Sequence, residues 1–515
     1  MIFKILFLFF LSANLFSQVR IFPSFATQTE PFVVKHPKND SIYFLSANTI
    51  NLNTGFISEG IYISTNFGES WNGSDTCKGA PINFHRGDPA ITIDENGVFI
   101  LLHLGFSPGI FSHYSLDSGK NWSSQKMISN FDQDRASIVS DNFGNTFATW
   151  VKFANPFPIY FSFTNDSGKH WSQPQQINFP LQRCQGSEIT IGSENEIYIC
   201  WANVENVSPF TENFVGFAKS TNFGTSWNVS ENAFDINGVA GILQSKGNIR
   251  INGLPKIAVD KSNSQFRGNI YIVTTEKNFS PAGNDNDIIL HRSTDDGASW
   301  SNGIRVNQDI LNNGKVQYFP AICVDDFGGI NIIYYDDRNT TSDSAEIFLS
   351  RSTDGGNIWN DFPISNHRFK PQAIGGLGQG YQGDNIAVIS SGNNLMAFWM
   401  DNFSGTYQIW QNKISLISLS IKNINTFPKQ FSLKQNYPNP FNPKTKIKYE
   451  IAKSGFVSLK IYDVLGREIK TLVNENKNVG FYEIEFDANN LNSGIYFYKL
   501  TTNNFSEMKK MILIK

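Results

Sequence analysis

One eight-residue pattern returns six times along the first 360 residues, and it limits the fold more than any other feature. It reads Ser/Thr-x-Asp/Asn-x-Gly-x-x-Trp. The copies are residues 64–71 (STNFGESW), 115–122 (SLDSGKNW), 164–171 (TNDSGKHW), 220–227 (STNFGTSW), 293–300 (STDDGASW) and 352–359 (STDGGNIW). The third position is Asn66, Asp117, Asp166, Asn222, Asp295 or Asp354. A short polar side chain there can accept backbone N–H groups just ahead of it and hold a turn closed. The glycine that follows tolerates φ > 0. The closing Trp71, Trp122, Trp171, Trp227, Trp300 and Trp359 each offer a large apolar face, expected to fold back over the hairpin. Repetition at this spacing means one supersecondary unit used many times.

The segments between the copies read as strands. A β-rich run precedes each copy, as at 110–113, 159–163 and 347–349, and earlier in each unit lies a hairpin with an apolar, aromatic second arm. Seven such units can be counted. The seventh, from about residue 383 to 414, lacks the eight-residue pattern. One small sheet cannot bury both faces, whereas sheets set radially about an axis can, with short protected edges. The expected fold is therefore all-β: a propeller over residues 18–415 with seven blades, six being the alternative. A strand at 19–25 should complete the last blade and close the ring.

The repeats resemble the BNR or Asp-box repeats of the sialidase-like superfamily, in which they lie at the blade periphery, away from the ligand face. Sialidases of that superfamily clamp a carboxylate with three arginines and use a tyrosine nucleophile paired with a glutamate. A guanidinium grips a carboxylate in bidentate fashion, and a neutral phenol attacks an oxocarbenium-like centre without charge repulsion. The resemblance implies an Arg-Ile-Pro motif. This chain has Arg20-Ile21-Phe22-Pro23, with one residue inserted. Arg250, Arg292 and Arg338 are the candidates for the other arginines, and Tyr318, Tyr335 and Tyr381 for the tyrosine.

Inner strands of a propeller begin or end near the central channel, where ligands usually bind. Glu30, Asp88, Asp134, Arg135 and Asp384 come just before the expected inner strands. Trp150, Trp201, Asp336, Asp337, Arg338, Trp399 and Asp401 end the second arms. Carboxylates that accept sugar hydroxyls, beside aromatic faces, would suit a glycan. Three function classes stay open: a binding or adhesive surface propeller, a glycan-active enzyme of sialidase type, and a non-catalytic scaffold.

No HExxH, GxSxG, P-loop or paired CxxC is present. With seven histidines and none in a ligand-like pair, no histidine metal site is expected. No cofactor is expected either, apart from calcium at Asp285 and Asp287 in an oxygen-rich turn. Against calcium, the next residue in step is the apolar Ile289. Of the four cysteines, Cys184 and Cys200 could pair across a hairpin, or they could stay free like Cys77 and Cys323.

The two ends of the chain read as export signals. Lys4, an apolar run at 5–11 and small residues at Ala13 and Ser17 form a leader over 1–17, with no later segment apolar enough to span a membrane. After a linker at 416–430, residues 431–515 alternate as a small β-sandwich behind the proline-rich run 436–443 (NYPNPFNP). Residues 430–515 hold 13 Lys/Arg and 8 Asp/Glu, a net +5. The remainder holds 29 and 37, a net −8, which argues against nucleic acid as a partner. The runs 436–443, 461–466 (IYDVLG) and 493–496 (SGIY) and the basic end 509–515 (KKMILIK) resemble the type A C-terminal sorting domain of the type IX secretion system of the Bacteroidetes. The resemblance implies recognition by the outer-membrane translocon, and a secreted or surface location for the propeller with its extracellular glycan or protein ligand.

Overall fold

The computed structural model describes residues 16–77, 85–105, 107–134, 136–376, 379–419, 430–453, 455–477, 480–502 and 505–515. The chain forms two compact units, Met1–Ser415 and Leu416–Lys515. Of the leader read over 1–17 only residues 16 and 17 are described, and of the linker read over 416–430 only 416–419 and 430.

The first unit contains seven four-stranded antiparallel sheets. Their first strands are Thr27–His36, Ala90–Ile93, Ser137–Ser140, Arg183–Ile191, Lys256–Val259, Gln317–Val324 and Ala387–Ser391. Each touches the next, and the seventh touches the first, so these strands ring a common axis. The fold is a seven-bladed β-propeller, as the strand count implied. The second strands are buried on both faces because each sheet is sandwiched between two others. Ile330–Asp336 is buried throughout, and Asn394–Asp401 is buried at all but its first residue. That is why they read as continuous apolar runs rather than alternating ones.

The ring is closed by pairing between distant parts of the chain. The N-terminal strand Phe16–Arg20 runs antiparallel to Gln408–Ser415, with Arg20 opposite Trp410, and forms the outer edge of blade seven. This strand ends earlier than the expected 19–25. After Ile21 N–H bonds Ile409 O, the chain must leave the rim and cross to the axis to begin blade one at Thr27.

All six repeats sit at the turn between the third and fourth strands of their blades, on the outer side. In each, the first hydroxyl accepts the glycine N–H and the Asp or Asn accepts an N–H near the end of the turn. In the second copy, Ser115 Oγ takes Gly119 N–H at 2.8 Å and Asp117 Oδ1 takes Asn121 N–H at 2.9 Å. Ser118 and Gly119 both have positive φ, 59° and 79°, which a side chain larger than glycine tolerates poorly at the second position.

The tryptophans do more than fold back over their own hairpins, as Trp227 and Trp359 do by donating to Gly224 O and Gly356 O. They reach the preceding blade. Trp71 donates to Gln411 Oε1 of blade seven at 2.6 Å and meets Phe398 edge-on. Trp122 packs on Phe44 of blade one, Trp171 donates to Ser112 Oγ of blade two, and Trp227 meets Phe161 of blade three. Trp300 packs on Phe217 of blade four, and Trp359 shares a core cluster with Leu290 of blade five. The repeat is thus a staple between neighbours. The seventh blade lacks it and is tied to blade six partly by Asn412 Nδ2, which donates to Ile364 O at 2.5 Å.

Asp117 carries a measurable share of this turn. Hydrogen bonds from the Asn121 backbone and side chain hold its carboxyl down at about 2. Its contribution is therefore complete above pH ~4, the ordinary Asp range, and is lost as pH falls through about 2. Asp117→Ala is expected to cost about 1 kcal/mol of unfolding free energy at pH 7. The cost should shrink in denaturant melts run toward pH 2. An equal cost at both pH values would contradict the assignment.

The second unit is a two-layer β-sandwich. One sheet holds Ser432–Leu433, Lys444–Ile451 and Gly480–Asp487; the other holds Glu468–Lys477, Gly455–Tyr462, Gly494–Thr502 and Ser506–Leu513. Its own core includes Ile447, Tyr449, Val457, Leu459, Tyr498, Leu500 and Met511. The proline-rich run is locked down by Asn436, whose N–H donates to Tyr498 Oη at 2.7 Å and whose side chain donates to Thr445 Oγ1 at 3.0 Å. The basic end is itself a strand, paired along Gly494–Thr502.

Candidate ligand-binding site

A cavity of about 430 Å³ opens where the first strands of the blades begin. Six blades contribute to it. Thr29 and Glu30 come from blade one, Asp88 from the lead into blade two, and Asp132 and Asp134 from the lead into blade three. Arg183 and Gln185 come from blade four, Leu254 from the lead into blade five, and Tyr381 and Asp384 from the lead into blade seven. Arg86, Arg250, Phe153 and Phe210 complete the wall.

The backbone here is not that of plain strands. Glu30 and Asp88 are both held at φ 55°, in the left-handed region that non-glycine residues rarely occupy. At Glu30 the pairing slips between Thr29 and Phe32, and Gly186 sits in a matching bulge of blade four. Bulges re-aim a side chain away from the sheet normal, and strain of this kind collects at functional positions.

The electrostatics are mixed. Three arginines face five carboxylates: Glu30, Asp88, Asp132, Asp134 and Asp384. Arg183 is caged by Phe157, Phe210 and Phe153, its guanidinium carbon 4.5, 4.8 and 5.3 Å from the ring centroids. Such stacking orients a guanidinium without using up its donors. Arg250 lies 4.5 Å over the ring of Tyr381. Burial, then the Asp384 charge, push the Tyr381 phenol well above its ordinary range, so it is neutral at physiological pH. Asp384 is oriented by Asn252 Nδ2 at 2.8 Å and Asn385 Nδ2 at 2.9 Å.

Of the residues singled out from sequence, Glu30, Asp88, Asp134, Asp384, Arg250 and Tyr381 meet in this cavity. Arg135 lies outside the described residues. The others do not line it. Arg20 stacks on Trp410 at the rim, and Arg292 donates to Gly355 O at 2.5 Å, beside a neighbouring repeat. Arg338 binds Asp336 and Asp361 within blade six, and Asp337 pairs with buried Lys246 at 2.6 Å. Asp401 accepts from Trp399 Nε1 at 2.8 Å and meets His367 Nε2 at 2.9 Å. Tyr335 is fully buried, stacks on Tyr318 and donates to Met400 O. Trp150, Trp201 and Trp399 are core residues at 0% exposure. Asp287 accepts from Gly283, Arg305 and Asn307, and Asp285 accepts from Gly314 N–H. The four cysteines are free thiols.

Sequence reasoning passed over Arg86, Arg183 and Asp132 in the cavity wall. It also dismissed the histidines, three of which converge. Arg183 had a readable signal: it opens the first strand of blade four, and the starts of first strands lie near the axis. The histidines had none, because the ring of side chains is assembled from three segments.

Residues 435–515 match the family model of the secretion system C-terminal sorting domain. This domain directs export by type IX secretion to the cell surface or the extracellular space. Among the described residues, no helix is long and apolar enough to cross a membrane. No curated protein matches the sequence. Among solved structures, a polysaccharide lyase family PL25 ulvan lyase bound to -[GlcA(1-4)Rha3S]- is similar at 13% identity and TM-score 0.50, over 79% of this chain and 99% of that one. A Trypanosoma rangeli sialidase matches at 10% identity and TM-score 0.43, over 94% of this chain and 84% of that one. A Penicillium chrysogenum α-L-arabinanase matches at 12% identity and TM-score 0.41, over 78% of this chain and 98% of that one. At this identity the ulvan lyase match bears on the propeller fold alone.

Proposed function

We propose that the exported propeller binds a carboxylate-bearing glycan in the axial cavity. The observation that carries this reading is the meeting of Arg86, Arg183 and Arg250 with five carboxylates and Tyr381 around one cavity. The arginines suit a uronate or sialate carboxylate. The carboxylates suit the hydroxyls of the same sugars, and Phe153 and Phe210 offer flat apolar faces. The ulvan lyase of similar fold was solved with a glucuronate-containing glycan, which agrees in chemical class. The six rim repeats are read as Asp-box repeats, structural and remote from the ligand. The leader at 1–17 would start the export that the sorting domain completes.

A second reading is favoured by one electrostatic pairing, that of the Asp384 charge with the Tyr381 phenol. Neutral Tyr381 beside Asp384, with three arginines at hand, resembles the tyrosine–carboxylate and arginine set of sialidases, although the carboxylate is an aspartate. That arrangement would serve cleavage of the bound glycan.

A glycan array spanning sialosides, uronate polymers and neutral glycans tests the first reading, and turnover of fluorogenic sialosides and uronate polymers tests the second. Binding confined to carboxylated sugars is expected. Arg183→Ala and Arg250→Ala should each weaken it about 10- to 100-fold, the value of one charge-assisted bond set. Equal binding of neutral glycans, or full affinity in both variants, would overturn the reading.

A further inference from the structure

We propose that His85, His103 and His113 form a zinc site buried between the first and second blades. Three of the seven histidines of the chain meet here, and all three are buried. Their candidate ligand atoms lie within 4.8 Å of one another. His103 and His113 stand on the paired strands Phe99–Leu104 and Ile110–Ser115, and His85 bridges to Gly105 on the segment leading into blade two.

The hydrogen bonds determine which nitrogens are available. His103 Nδ1 lies 2.7 Å from Leu104 O, and His113 Nδ1 lies 2.9 Å from Ser123 O. A carbonyl only accepts, so each Nδ1 carries the proton. Each Nε2 is then a bare lone pair. These two Nε2 atoms nevertheless face each other at 3.1 Å. Two acceptors at that distance repel unless something positive joins them. A metal ion fits: two nitrogens at 2.0–2.1 Å from a tetrahedral zinc lie about 3.3 Å apart.

The third ring repeats the pattern. His85 Nδ1 lies in close contact with Glu59 Oε2, and Nε2 of His85, although buried, has no hydrogen-bond partner among the described residues. Glu59 is itself fully buried and accepts Gly87 N–H at 2.9 Å through Oε1. All three imidazoles are thus held at Nδ1 by an oxygen and left with Nε2, which is how proteins orient histidine ligands to metals. Three imidazoles with a carboxylate behind them suit zinc-class ions over calcium or magnesium.

The site is closed, so its role is to hold structure. It ties the segment at His85 to the end of strand Phe99–Leu104. Those two stretches are already joined by Arg86 N–H to Leu104 O and Leu104 N–H to Gly87 O, both at 3.0 Å. Arg86, Asp88, Leu104 and Gly105 from these same stretches line the axial cavity. The ion would therefore set the position of one cavity wall, whatever that cavity binds.

The test uses the full exported chain, purified without a histidine tag. Elemental analysis is expected to find about one zinc per chain. Chelation should lower the Tm, and added zinc, but not magnesium, should restore it. Cobalt in place of zinc should give the visible d–d bands of a tetrahedral imidazole site. His85→Ala and His113→Gln should lose the metal, while His170→Ala, at an exposed rim histidine, should keep it. If either variant fails to fold, the wild-type melts with and without zinc decide. A wild-type chain that takes up no zinc from excess, with an unmoved Tm, would overturn the proposal. So would metal retained in both variants.

Discussion

Removal of residues 435–515 leaves a folded propeller trapped inside the cell envelope of a host with type IX secretion, with its surface signal reduced to background. The sorting domain is a separate compact unit with its own two sheets and its own buried core. Its loss strips no strand from the seven blades, because the ring is closed within the first unit by Phe16–Arg20. The truncated protein should therefore melt cooperatively near the temperature of the parent propeller while failing to reach the medium or the surface. Fractionation with immunoblotting measures the distribution, and a protease-resistance assay on the retained protein shows whether it is folded. A reporter carrying a leader and residues 435–515 should travel outward. Normal surface yield of the truncated propeller would remove the export role from this domain.

Replacing Arg338 by Met is expected to destabilise the propeller by about 3–5 kcal/mol at neutral pH, the cost of breaking a buried ion pair by removing one partner. Arg338 was a candidate ligand arginine, yet its guanidinium is consumed inside blade six. Nε donates to Asp336 at 2.8 Å, Nη1 binds Asp361, Nη2 donates to Tyr334 Oη at 3.1 Å, and the group lies 4.2 Å over Phe348. Without it, Asp336, which is wholly buried, and Asp361 lose the guanidinium they share and keep only neutral donors, the backbone N–H of residue 338 for Asp336 and Ser350 Oγ and Gln308 N–H for Asp361. Burial already raises Asp336 to about 6 despite the arginine. A carboxyl whose folded pKa exceeds its unfolded value costs stability above the folded value and stops costing it below the unfolded one. The variant should therefore be weakest at pH 7 and recover part of its loss as pH falls toward 4. Glycan affinity, measured below the melting transition, should be unchanged. A variant of normal stability that had lost binding would return Arg338 to the ligand site.

The sequence by itself determined the features that are made locally. The Ser–Asp–Gly–Trp turn is satisfied within eight residues, so its hydrogen bonds were legible, and seven hairpin units implied seven blades. The dense motifs of the last 80 or so residues likewise marked a domain whose contacts are its own. Strand-end arithmetic also placed Glu30, Asp88, Asp134 and Asp384 at the mouth, because the start of a first strand must lie near the axis. The same arithmetic misled at the ends of the second strands. Trp150, Trp201 and Trp399 are there, but sandwiched between blades, while Asp337, Arg338 and Asp401 find partners before they reach the channel. Only the tertiary structure decided which side chains meet across blades. Each rim tryptophan chooses the neighbouring blade, Arg86, Arg183 and Arg250 arrive from separate segments, and three histidines converge with Glu59. The physical reason is that a propeller brings residues together by rotation about its axis. Contacts between blades therefore depend on how the sheets are packed, and no short stretch of chain encodes that packing.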